Sequence, residues 1–132
     1  MVGNALWKTC RVASIDDVRP LGHSLERSYE VLVRDQVKFR VGQIVYAAFS
    51  RDETIMGFGF PKDERQALVD GDPERFMLPR PSDMRFQWVH ARIELLEPAE
   101  AREFFVDAWR LCVPKKLQRA YDEAFPNGPG PG

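Results

Sequence analysis

An α+β fold, with helices packed on an antiparallel sheet, is what the sequence predicts, and three observations predict it. Residues 37–60 hold three alternating apolar runs in succession, divided by two short turns. A fourth alternating run spans residues 87–95. The clearest amphipathic helix in the chain, entered through Pro98, comes directly after that run and is expected to pack on the sheet.

Taken in order, Ser14 followed by Ile15, Asp16 and Asp17 reads as a helix start, with serine as the cap and the acids in the first turn, where the helix dipole favours them. Pro20 requires that helix to be short, kinked or begun only at the proline, and Gly22 weakens it further. Residues 28–33, SYEVLV, have enough β-branched and aromatic character to lead into the sheet. Val37, Phe39 and Val41 then alternate with Lys38 and Arg40, and Ile44, Tyr46 and Ala48 alternate with Val45, Ala47 and Phe49. Gly42-Gln43 between them suits a type II′ hairpin, which pairs Val41 with Ile44, Phe39 with Tyr46 and Val37 with Ala48 on one face. A third strand puts Met56, Phe58 and Phe60 on the core side. Its other side, Ile55, Gly57 and Gly59, is bare enough to read as an open floor.

Pro61 opens a helix with early acidic residues, and Gly71 is its natural stop. The three-proline stretch at 72–86 reads as a turn of helix followed by extended loop. In the run at 87–95, Val89, Ala91, Ile93 and Leu95 face one way, and Trp88, His90, Arg92 and Glu94 the other. Pro98 stands at a helix N1 position, and Ala101, Phe104, Phe105, Ala108, Trp109 and Cys112 form that helix's apolar stripe. Pro114 breaks it, and 115–125 forms a shorter helix. The expected organisation is one domain over 1–125 and a flexible tail, 126–132, too rich in Pro and Gly to pack.

Composition narrows the function. The 132 residues suffice for one core that buries about two-thirds of the unfolded surface. A formal charge of −1 gives no global field toward nucleic acid or an anionic membrane, so any such binding needs a local patch. Two cysteines without C-x-x-C spacing, no signal-length apolar run and no membrane-length apolar stretch make a reduced cytoplasm the simplest location. His23 and His90 stand apart with no ligand spacing around them, so neither metal nor cofactor is expected. The sequence contains none of the nucleophile-elbow, P-loop, dinucleotide or zincin motifs, and the pairs Asp16-Asp17 and Asp63-Glu64 are better helix starts than acid/base couples. Cys112 reads as core. The expectation is a protein that is not an enzyme.

Four short motifs in this order resemble the MmcQ/YjbR family of small bacterial proteins: Lys38-Phe39-Arg40-Val41-Gly42 with Ile44-Val45-Tyr46, then Phe60-Pro61-Lys62, then Trp88 opening a strand, then Val113-Pro114-Lys115-Lys116-Leu117. The resemblance covers about residues 15–121, and departs from the family where Pro20 interrupts the first helix and Leu25-Glu26 stands at the expected Leu-Pro junction. It implies a two-layer domain, an antiparallel sheet of about four to five strands with helices on one face, and it implies DNA binding.

The candidate site follows from the alternation. The uncovered sheet face would present Lys38 and Arg40 from one strand and Trp88, His90 and Arg92 from another, with Lys115 and Lys116 at the rim. Cationic and aromatic groups on one sheet surface suit single-stranded nucleic acid or another anionic ligand, by phosphate contact and stacking. The same residues also fit the plain solvated sides of two amphipathic strands. An alternative is a protein-interaction module, monomeric or weakly dimeric, that docks a partner on this face or on 79–84.

Overall fold

The computed structural model describes residues 12–126. Helix α1 (Ile15–Ser24) leads to strands β1 (Ser28–Val33), β2 (Gln36–Val41), β3 (Ile44–Phe49) and β4 (Ile55–Gly59). Helix α2 (Lys62–Gly71), the short strand β5 (Phe76–Met77) and a 3₁₀ turn (Pro81–Asp83) precede β6 (Trp88–Arg92); a second 3₁₀ turn (Ile93–Leu95), α3 (Pro98–Arg110) and α4 (Lys115–Ala124) complete the described chain. The strands form one antiparallel sheet in the order β1-β2-β3-β4-β6-β5, and the helices pack on one face of it. The sixth strand is β5, two residues inside the Pro-rich stretch and too short to produce a period in the sequence.

The core face follows the register. Phe39, Ala47, Phe58 and Val89 stand side by side across four strands, with Phe49, Met56, Ala91 and Phe76 as the adjoining row, and all eight are buried. Against them α3 lays Ala101, Phe105, Ala108 and Trp109, and Phe105 meets Phe39 and Tyr46 edge-on at 5.1 and 5.2 Å. Such edge contacts add about 0.5–1.5 kcal/mol each beyond burial.

Helix α1 is short, as Pro20 requires, yet it runs through the proline. The Asp16 amide donates to Ser14 Oγ at 3.3 Å, and the Ser14 amide to Asp17 Oδ2 at 2.9 Å, so the helix gains at its start part of what Pro20 loses inside. Gly42 has φ +62° while Gln43 does not enter the left-handed region, as a type II′ turn requires.

One expected pairing and two expected facings differ; Tyr46 keeps its expected core position but loses its expected partner Phe39. A β-bulge lies between β2 and β3: Arg40 pairs with Val45 and Phe39 with Ala47, leaving Tyr46 as the extra residue. Tyr46 turns inward, where its hydroxyl meets Ser28 Oγ at 2.6 Å and burial holds the phenol pKa well above its ordinary value. Lys38, not Val37, therefore pairs with Ala48. Ile44, expected in the core, is 54% exposed, because β3 pairs with β4 only over residues 47–49 and its first residues extend beyond that partner. Leu95 is likewise 44% exposed, because β6 ends at Arg92 and the chain turns into a 3₁₀ turn that breaks the alternation.

Candidate binding groove on the open sheet face

On the face away from the helices, the register aligns Lys38, Ala48, Gly57 and His90 across β2, β3, β4 and β6. Side chains at the two ends and almost none in the middle make a trough. It is part of an open groove of about 980 Å³ whose lining includes Lys38, Ile44, Phe86, Trp88, His90 and Leu111.

The glycine floor is covered rather than open. A Cβ built on Gly57 would lie 2.8 Å from Trp88 Nε1 and 3.0 Å from His90 Cδ2, so the indole occupies the space that the missing side chain leaves. Gly59 abuts Leu111 and Ala108 of the α3 end. Gly57 thus seats an aromatic ring in the groove, and Gly59 admits the end of α3.

Position of the Trp88 strand depends on Arg65, a residue that sequence reasoning did not single out. Arg65 is buried and its guanidinium donates to the carbonyls of Phe86 (2.7 Å), Trp88 (3.1 Å) and Met84. One planar fork satisfies three carbonyls and holds the irregular segment that supplies a groove wall.

Of the seven residues singled out from the sequence, the groove brings together Lys38, Trp88 and His90. Arg40 is half-buried and outside its lining, with Nε enclosed and without a hydrogen-bond partner among the described residues. Arg92 turns to the sheet margin and donates to the Glu74 carbonyl at 2.8 Å. Lys115 borders a separate, shallower depression with Glu64 and Asp107, and Lys116 is exposed and borders neither. Sequence reasoning did not single out Phe86, Arg80 and Asp83, which lie in an aperiodic stretch, or Leu111, just past the helix. All four line the groove.

The electrostatics are uneven. Arg80 Nη2 lies 3.3 Å from Asp83 Oδ2 in a solvent-exposed ion pair. Lys38 Nζ, Trp88 Nε1 and both His90 nitrogens have no ion-pair or hydrogen-bond partner among the described residues. Burial pushes the His90 imidazole below its ordinary pKa; Asp83 opposes that shift and Arg80 adds to it. Half-burial pushes the Cys112 thiol up, away from nucleophilic use. Cys10 and the expected tail beyond Pro126 lie outside the described residues. Among those residues no group of three or more His, Cys, Asp or Glu side chains could hold a metal, and no helix is long and apolar enough to cross a membrane.

Fold and groove define a class, a small α+β domain with an antiparallel sheet, helices on one face and a polar-aromatic groove on the other. The chain belongs to the YjbR family, whose sequence model matches residues 23–111. That segment contains Lys38, Trp88 and His90 and stops short of Lys115 and Lys116. The crystal structure of Deinococcus radiodurans protein DR2400, family-model domain DUF419, is similar with a TM-score of 0.67 over 86% of this chain and 88% of that one. At 16% identity this is a likeness of fold. No curated protein matches the chain.

Proposed function

We propose that the chain is a non-enzymatic cytoplasmic binding module whose open sheet face takes DNA in single-stranded form. The observation that carries this reading is the convergence of Lys38, Trp88 and His90, with Phe86 beside them, on one concave groove. An ammonium answers a phosphate and the aromatic side chains offer stacking partners for unpaired bases. A groove of about 980 Å³ has room for a few unpaired nucleotides and none for a duplex. Membership of the YjbR family and the missing catalytic motifs support the non-enzymatic part.

With a net charge of −1, binding draws on a local patch, so affinity is micromolar or weaker and falls with salt. Fluorescence anisotropy with labelled single- and double-stranded oligonucleotides at low and physiological salt tests this. The single strand should bind more tightly than the duplex and lose affinity with Lys38→Ala. No binding at low salt, or binding indifferent to that substitution, rejects the reading. A second reading, docking of a partner chain, draws on Ile44, Phe86 and Leu111, each about half exposed along the same groove. Light scattering and a pull-down that yield a defined protein partner free of nucleic acid would favour it.

A further inference from the structure

We infer that the groove is a single-nucleotide site, with the phosphate of a 5′-nucleotide, free or within a strand, at Lys38 and its base at the Trp88 end. This rests on the reading of the open face as a nucleic-acid surface and names what one unit of it recognises.

Dimension is the first argument. Lys38 and His90 are three strand spacings apart across the aligned row, and adjacent strands lie about 4.8 Å apart, so their Cα atoms are about 14 Å apart. Only the methyl of Ala48 and the ring lying over Gly57 intervene. Trp88 therefore begins about 10 Å from the Lys38 backbone, and the lysine stem spans part of that gap.

Unanswered donors are the second. The Lys38 ammonium, the Trp88 indole N–H and the His90 ring have no partner among the described residues although all three line one groove. None of the three is sealed from solvent, so each can exchange water for a ligand contact without disturbing a protein partner.

Charge sets the polarity and the phosphate count. Arg80 is engaged by Asp83 at 3.3 Å, which leaves Lys38 as the groove's one cation without an acidic partner among the described residues. One ammonium suits one phosphate rather than a di- or triphosphate. Asp83 and Arg80 both act on His90 as a mutually paired couple, so that end offers a phosphate no unshared cation, whereas a neutral base is accepted there and a largely neutral imidazole offers it both a donor and an acceptor. Phe86, 49% exposed, with the Arg85 guanidinium 4.7 Å from its ring centroid, adds a second aromatic ring to the groove lining.

NMR titration of the ¹⁵N-labelled protein with thymidine 5′-monophosphate, thymidine, inorganic phosphate and an oligodeoxythymidine tests this. The monophosphate should move the Trp88 indole N–H and Gly57 amide signals saturably. Thymidine and phosphate alone should each bind about tenfold more weakly or worse, the ratio expected for one charge-assisted contact. Lys38→Met should abolish the advantage of monophosphate over thymidine while leaving weak thymidine binding in place. Equal affinity for thymidine and its monophosphate, or groove signals unmoved by both, overturns the inference. An oligonucleotide that binds without moving those signals overturns the groove site and leaves nucleic-acid binding standing. A monophosphate that binds here while the oligonucleotide binds nowhere supports the site and overturns the single-strand reading instead.

Discussion

Replacing Gly22 with alanine adds one methyl group where α1 meets the sheet. A Cβ at this position stands 2.3 Å from Cδ1 and Cε1 of Phe39 and 3.2 Å from its Cζ. Relaxed carbon contacts need about 3.5–4.0 Å, so the ring or the helix must yield by about 1.2–1.7 Å. Neither gives easily. Phe39 is fully buried between Phe49 and Phe105, and the Gly22 carbonyl accepts from Ser28 Oγ at 2.8 Å, which ties the helix to β1. Overpacking costs about 1–3 kcal/mol, and a clash this close belongs at the upper end. Better helix propensity returns about 1 kcal/mol, leaving a net loss of about 2 kcal/mol. For a chain of 132 residues each kcal/mol moves the midpoint by roughly 3–4 °C, so calorimetry should show Tm lower by about 6–8 °C. Propensity alone predicts the opposite sign. A variant with equal or higher Tm would refute the close helix–sheet contact.

Arg65→Lys keeps the charge but loses the fork that serves three carbonyls, and should cost about 2–4 kcal/mol with faster amide exchange over residues 84–88; unchanged stability and exchange would remove Arg65 from its holding role. Tyr46→Phe removes the hydroxyl contact to Ser28 and should cost about 1 kcal/mol in chemical denaturation, whereas a neutral result would leave the bulge held by packing alone. His90 titrates below 6.5 in the fold because burial disfavours its cation, with Asp83 and Arg80 as the charged groups beside it. Below that ordinary value the unfolded chain takes up the proton first, so this contribution to stability is complete at neutral pH and declines as pH falls toward the folded value. An NMR titration of the imidazole gives the folded value directly, and His90→Gln should flatten the stability profile in that window.

Alternation made the core face legible at Phe39, Phe58 and Val89, because burial against helices on one side imposes a period of two. Past Tyr46, itself in the core as expected, it failed, because a bulge that no composition signal marks hands the core face to Ala47 and Phe49, and it failed at Ile44, which extends beyond the β4 partner. The groove was half legible. Lys38, Trp88 and His90 came from the opposite phase of the same alternation, but Arg40 and Arg92 share that phase and are drawn elsewhere, one half-enclosed near β1, the other toward Glu74. Phase gives the side of a sheet and not where a long side chain ends. Of the aperiodic wall residues, Phe86 is held by the buried Arg65 across about twenty residues of sequence, a tertiary relation with no local pattern, while Arg80 and Asp83 belong to the preceding 3₁₀ turn. Gly57 was noticed as bare, but only the structure supplies the ring that fills its place.

Chemical-shift mapping of a single-stranded oligonucleotide on the ¹⁵N-labelled protein at low salt tests the central claim most directly, because it reports which face is used. Perturbations should concentrate on Lys38, Gly57, Trp88 and His90 and spare Lys115 and Lys116. Perturbations gathered at Lys115 and Lys116 or along α1, with the groove signals unmoved, would contradict it.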